Sequence, residues 1–182
     1  MKPPIAVILG IVVALAIPLL ASGGSKHELD ARGRQMLEQV RRATVKYQDV
    51  NVARRDGFRA PPACSDSGDG SGAMGLHYTN AARMRDPKVD VLKPEELLYE
   101  PQPGGKPPKL VGVEYFVASD GQRPPTTPFG HLDGPMPGHF PGMPVHFDLH
   151  VWIFRHNPKG TFEIWNENVH CLPGSTGKKG NG

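Results

Sequence analysis

Residues 145–154 read VHFDLHVWIF, the most regular alternating pattern in the chain. Successive side chains of a β-strand point to opposite faces, so the odd-numbered residues of this stretch form one apolar face. The opposite face carries His146, Asp148 and His150, followed by two aromatic side chains. Large apolar side chains on both sides predict that both faces are buried. A buried polar group without a partner costs about 1–3 kcal/mol, so this row of polar side chains needs partners.

Two other stretches supply ionisable side chains of the same kind. Residues 110–118 (LVGVEYFVA) contain Glu114 as the one charged group in the middle of an apolar strand. Residues 76–79 (LHYT) read as a short strand with His77 on the face opposite its apolar neighbours. Glu114 either points to water from an edge strand or points into a pocket that it shares with the histidines. We predict the inward orientation.

The predicted metal ligands are His77, Glu114 and His150. Imidazole and carboxylate groups bind zinc and copper, and thioethers favour Cu(I). His146 and His150 are separated by about 13 Å along one strand, too far to share an ion, whereas residues two apart are separated by about 7 Å. A long loop at residues 119–144, without regular structure, is expected to close over the ion. We assign to this loop, or to the support of the ligands, the residues His146, Asp148, His131, Met136, His139 and Met143. The alternative is that the histidines and Asp148 only hydrogen-bond one another and the nearby backbone.

The remaining pattern predicts a loop-rich α+β fold, because glycine (22) and proline (20) are frequent. Residues 28–55 repeat apolar side chains at helical steps of three and four, with a break near Asp49, which is a good cap for a second short helix. This helix is expected to pack on the sheet face that bears Val111, Val113, Val151 and Ile153. The sheet is antiparallel with about four to five strands, and residues 95–99 fit either a helical turn or a strand. The expected strands are residues 76–79, 110–118, 145–155 and 161–165, the last two joined by the turn sequence NPKG.

The N-terminal residues predict export. Residues 1–24 combine Lys2, a long apolar run and small residues at the end, which is the pattern of a signal peptide; an uncleaved membrane anchor is the alternative. We therefore expect one globular domain at residues 25–172, secreted or otherwise extracytoplasmic, and a disordered tail at residues 173–182. In such an oxidising compartment Cys64 and Cys171 are expected to form a disulfide. The alternative is that they are thiolate metal ligands.

Composition and motifs argue against several classes of function. The net charge is +3 and the basic residues are scattered, so no strong field points to nucleic acid as a partner. The chain contains no G-x-S-x-G elbow for a nucleophilic serine and no phosphate-binding glycine loop after a strand. We assign no catalytic residues.

Several segments together resemble a family of uncharacterised secreted bacterial proteins. They are KYQDVNVARRDGF, MGLHYTN, PEELLYE, LVGVEYFV, HVWIF and NPKGTFEIWNENVHC, within residues 44–171. The resemblance implies a single extracytoplasmic domain. No established activity accompanies it, and so it contributes no catalytic or binding residues.

The sequence thus predicts an extracytoplasmic metal-binding protein that holds copper or zinc in a His/Glu pocket under a loop rich in Pro, His and Met. Two alternatives use the same pocket. One is a module that binds a non-metal small ligand or a partner protein. The other is a metal-dependent enzyme, which requires an open coordination position.

Overall fold

The structure, a computed structural model, describes residues 29–61, 63–139 and 142–175. The predicted signal peptide or anchor at residues 1–24 lies outside the described residues. Of the predicted tail, residues 173–175 are described. They follow the disulfide closely, and the Ser175 carbonyl accepts a hydrogen bond from the Cys64 backbone N–H at 2.8 Å.

The fold is α+β, as predicted, with N-terminal helices packed on an antiparallel sheet. Helix α1 (Ala31–Thr44) continues into a 3-10 turn (Val45–Gln48), and helix α2 (Val50–Arg55) follows. The Asp30 side chain accepts a hydrogen bond from the N–H of Gly33 and begins α1. Asp49 caps α2 in the same way, by accepting from the N–H of Asn51 at 2.9 Å. The predicted break in the helical region is therefore confirmed.

The main sheet has six strands in the order β1-β2-β3-β4-β8-β7, and each neighbouring pair is antiparallel. Strands β5 and β6 form a separate two-stranded sheet. In chain order the strands are β1 (Ser65–Asp66), β2 (Ala73–Thr79), β3 (Glu96–Glu100), β4 (Lys109–Ala118), β5 (Thr126–Thr127), β6 (Gly130–His131), β7 (Asp133–Met136) and β8 (His146–Val151). The ambiguous segment at residues 95–99 is thus a central strand.

The two faces of the sheet have different partners. One face packs with the helices in a large apolar core that includes Val113, Leu149 and Val151. Val111 was predicted on this face and lies instead in a second, smaller cluster on the other face with Leu98 and Trp152. The cause is an irregularity in the pairing of β3 with β4 between Leu98 and Tyr99, because an extra residue in a strand reverses the side-chain alternation.

Two predictions, a strand at residues 161–165 and an irregular loop at residues 119–144, were wrong in detail. Residues 161–165 form no strand. Two of their carbonyls instead accept hydrogen bonds from side chains, that of Glu163 from the Trp152 indole and that of Trp165 from the Asn157 amide. Strand β8 correspondingly ends at Val151. The loop at residues 119–144 was expected to lack regular structure, yet it contains β5, β6 and β7, and β7 extends the sheet beside β8.

The two cysteines are bonded, as predicted, with their Cα atoms 5.8 Å apart and a sequence separation of 107. The bond joins the segment after α2 to the last described turn, and a disulfide is consistent with an extracellular location. Among the described residues, no helix has the length and apolar character needed to cross a membrane.

Candidate metal centre

The pairing of β4 with β8, and the position of β2 in the same sheet, bring the three predicted ligands together on the sheet face away from the helices. Glu114 on β4 lies directly opposite His150 on β8, and His77 extends from β2 toward the same point. The Glu114 Oε2 atom is 3.1 Å from His77 Nε2 and 3.4 Å from His150 Nε2. One ligand atom from each of the three residues lies within 4.8 Å of the other two. We call these three residues the inner cluster.

The inner cluster is almost closed to solvent. Glu114 and His150 are each 2% exposed, as the inward orientation of Glu114 requires. The His77 side chain is 16% exposed, so the cluster is reached from the side of His77. Glu114 Oε2 and His150 Nε2 are both buried and have no hydrogen-bond partner of acceptable geometry. Buried polar atoms are nearly always paired, so these two atoms indicate that something else belongs between them.

Burial sets the charge of the inner cluster. It lowers the pKa of His150 to about 4, so this imidazole is neutral at neutral pH, which is the form that binds a metal. Burial also raises the pKa of the Glu114 carboxyl well above its usual range, and the charge of nearby Asp148 adds to the effect. A buried cation would reverse this penalty, because opposite charge favours the ionised carboxylate.

Glu96 is a member of this site that sequence reasoning missed. It lies opposite Glu114 on β3, is 3% exposed, and its carboxyl is hydrogen-bonded to that of Glu114. Burial, and then the Glu114 charge, raise the pKa of Glu96, so the Glu96 carboxyl favours its protonated form, which can donate a hydrogen bond to its neighbour. The sequence signal for it is the alternation of Glu96, Leu98 and Glu100 in one strand, which puts carboxyl groups on the face opposite Leu97 and Tyr99.

The ring of His150 is held on its other side by Trp152, with ring centroids 6.2 Å apart and planes inclined by 24°. The Trp152 indole N–H is fixed in turn by the Glu163 carbonyl at 2.6 Å. The T-shaped contact of His150 with His77, at 6.0 Å between centroids, completes its surroundings. Packing of this kind restricts rotamers and holds the ligand atoms in place.

Of the six residues assigned to the loop or to ligand support, three come together in the structure. His146, Asp148 and His139 form a second group whose ligand atoms lie within 4.8 Å of one another; we call it the outer cluster. His131 does not join either cluster: it is exposed and its Nδ1 lies 3.0 Å from the Thr126 hydroxyl.

The two loop methionines lie beside the outer cluster. Met136 pairs with His146 across β7 and β8. The Met143 sulfur accepts a hydrogen bond from the His139 backbone N–H at 3.4 Å. The two methionine sulfurs therefore belong with the outer cluster, beside His139 and His146, and not with the inner cluster.

In the outer cluster, burial and the neighbouring polar groups shift the pKa values of His146 and Asp148 in opposite directions. Burial by itself would lower the pKa of His146, but the Asp148 carboxylate and the Pro144 carbonyl together raise it. Burial likewise opposes the ionisation of Asp148, and the surrounding histidines bring its pKa below the usual value. Burial lowers the pKa of His139.

No known protein family, curated protein or solved structure matches the chain in sequence or structure comparisons. Its function must therefore be inferred from the chemistry of these clusters.

Proposed function

We propose that this chain is an extracytoplasmic protein that binds a divalent transition-metal ion through His77, Glu114 and His150. The observation that carries the proposal is the convergence of two imidazole nitrogens on one buried carboxylate oxygen. The disulfide and the N-terminal sequence pattern support the extracytoplasmic location.

The spacing of the inner cluster fits a bound ion, and its unpaired buried atoms argue against direct hydrogen bonds. Zinc binds imidazole nitrogen and carboxylate oxygen at about 2.0–2.2 Å, so two tetrahedral ligands are separated by about 3.3 Å. The two measured separations from Glu114 Oε2, 3.1 and 3.4 Å, bracket this value. Direct hydrogen bonds would leave no buried atom unpaired, whereas Glu114 Oε2 and His150 Nε2 are unpaired.

The ligand types favour zinc over Cu(I) at the inner cluster. Two imidazoles and one carboxylate are a common zinc ligand set, and they leave a fourth position for water. The argument for copper came from the methionines of the loop, and Met143 contacts His139 of the outer cluster. Zinc and Cu(II) both remain suited to nitrogen and oxygen donors, and both belong in the binding experiment.

The test is metal uptake by the purified chain and three variants. Protein freed of metal with a chelator is titrated with zinc, and separately with copper, by calorimetry, and the bound metal is counted by elemental analysis after desalting. His77→Ala and His150→Ala are each expected to lose one equivalent relative to the parent. The matched control is His156→Ala, which replaces an exposed histidine that belongs to neither cluster, and it is expected to bind like the parent.

The far-ultraviolet circular dichroism of each variant is recorded beside the titration to check the fold. Folded His77→Ala and His150→Ala proteins that bind zinc and copper with the parent's stoichiometry and affinity would refute the proposed site.

A further inference from the structure

We propose that the outer cluster, His139, His146 and Asp148, binds a second transition-metal ion. This site shares no ligand with the inner cluster, so it goes beyond the function proposed above. The three ligand atoms lie within 4.8 Å of one another. Two of them belong to side chains that are among the most buried polar ones in the described part of the chain: His146 is 0% and Asp148 is 2% exposed.

The hydrogen bonding of His146 fixes which of its nitrogens is available to an ion. Its Nδ1 lies 3.0 Å from the Pro144 carbonyl oxygen. A carbonyl oxygen only accepts, so Nδ1 carries the proton and donates it. In the neutral ring the lone pair is then on Nε2. Histidines that bind metals usually donate their other N–H to a carbonyl or carboxylate in this way.

The lone pair of His146 Nε2 faces another acceptor. Asp148 Oδ2 lies 3.5 Å away, and neither atom has a hydrogen-bond partner. While Nε2 is unprotonated, these two acceptors repel each other, and each unpaired buried group costs about 1–3 kcal/mol. A cation between the two atoms removes both penalties at once.

The surroundings hold the His146 ring in the orientation that an ion needs. Phe116 on β4 stacks against it, with centroids 4.8 Å apart and planes inclined by 23°. The His139 ring, from the segment after β7, makes a T-shaped contact with the His146 ring, with centroids 5.0 Å apart. The Met143 sulfur anchors the His139 backbone, so the third ligand is also positioned.

The pleat of β8 explains why the two clusters form separate sites. His146, Asp148 and His150 project from the same face, and residues two apart are separated by about 7 Å. On β4, Glu114 lies opposite His150 whereas Phe116 lies opposite Asp148. One strand thus supplies His150 to the inner ion and His146 with Asp148 to the outer ion, side by side.

The simplest competitor to an ion is a proton on His146 Nε2, which would make an ion pair with Asp148. This arrangement needs no third ligand and leaves His139 without a role. The two explanations therefore differ at His139, a partly exposed loop residue whose side chain is not needed to hold the sheet together.

The experiment counts ions in the full chain and in variants of each cluster. Zinc and cobalt(II) are titrated separately into metal-free protein, and cobalt bound at a tetrahedral site is followed by its visible absorption. The parent is expected to bind two equivalents. His139→Ala and Asp148→Asn are each expected to bind one equivalent or to bind the second at least about 10-fold more weakly, and His156→Ala is expected to bind two.

His150→Ala distinguishes this proposal from the one for the inner cluster. If it loses one equivalent and His139→Ala loses the other, both sites are supported. If His150→Ala binds like the parent while His139→Ala loses an equivalent, the outer site stands without the inner one. The outer site is overturned if the parent binds a single equivalent that His150→Ala loses and His139→Ala keeps. It is also overturned if His139→Ala binds as many equivalents as the parent, with the parent's affinity. Because His139 is in a loop, its variant remains informative even if Asp148→Asn does not fold.

Discussion

Replacing Glu114 with glutamine is expected to weaken metal binding without weakening the metal-free fold. Glutamine keeps the size of the side chain and removes its charge. In the absence of metal, the Glu114 carboxylate is buried beside Glu96 and Asp148, and burial raises its pKa. The neutral amide removes that penalty, so the free energy of unfolding of the metal-free variant should equal or exceed that of the parent.

The loss of metal affinity can be approximated from zinc sites in general. Such sites bind with about 10–16 kcal/mol over four ligands, or about 3 kcal/mol for each ligand. Since 1.4 kcal/mol corresponds to a factor of ten, Glu114→Gln should raise the zinc Kd of the inner cluster by about 100-fold. At a free zinc concentration of 100 times the parent's Kd for the inner cluster, binding at that cluster stabilises the parent by about 2.7 kcal/mol and the variant by about 0.4 kcal/mol. The outer cluster contributes equally to both proteins.

Urea denaturation without zinc measures the free energy of unfolding of the metal-free proteins, and repeating it with zinc measures how much zinc stabilises each of them. The control is Glu38→Gln, which makes the same chemical change at an exposed position of α1, and zinc should stabilise it as it does the parent. If zinc stabilises Glu114→Gln as much as the parent, Glu114 is not a ligand. If the metal-free variant is instead destabilised by more than about 2 kcal/mol, the carboxylate has a structural role that the unpaired Oε2 atom does not explain.

Three further predictions concern the scaffold. Reducing the Cys64–Cys171 bond, which closes a loop of 107 residues, should lower the free energy of unfolding by about 4.7 kcal/mol in the chain-entropy treatment; urea denaturation with and without reductant measures this, and a change below about 1 kcal/mol would contradict it. Burial raises the pKa of Glu95 from 4.5 to about 8, so folded protein holds this proton more tightly than unfolded protein and stability should fall as pH rises through that interval. In chelator-treated protein Glu95→Gln should flatten the fall, and identical pH profiles for variant and parent would be evidence against it. Gly75→Ala should destabilise the protein by about 1–3 kcal/mol more than Gly121→Ala. Both glycines have left-handed φ angles, but of the two only Gly75 would bring a Cβ against a backbone oxygen, at 2.5 Å. Equal shifts in the thermal unfolding temperature would show that the strand yields to the added atom.

Local pattern in the sequence determined much of the inner cluster. The alternation in residues 145–154 places His150 on the face opposite an apolar one, and Glu114 is the one charge in the middle of its strand. Burial of both residues follows from the apolar side chains around them, which are properties of each strand alone. The helical spacing and its break at Asp49 are local in the same sense, as is the inference of a disulfide from two cysteines that follow a predicted export signal.

The tertiary structure decided which of these strands become neighbours and in what register. The Glu114–His150 pairing and the inclusion of Glu96 depend on strand order, which joins segments distant in the chain. The bulge that transfers Val111 to the other face is invisible in the alternation, because it arises where two strands fail to match.

The outer cluster is also a product of tertiary structure. His139 meets His146 across a contact between their rings, and Met143 and Pro144 supply hydrogen-bond acceptors to the two histidines. The sequence identifies residues able to bind metal, since side-chain chemistry and strand alternation are local properties. Their division into two sites depends on contacts between distant segments, whose free energies appear only when the whole chain has packed.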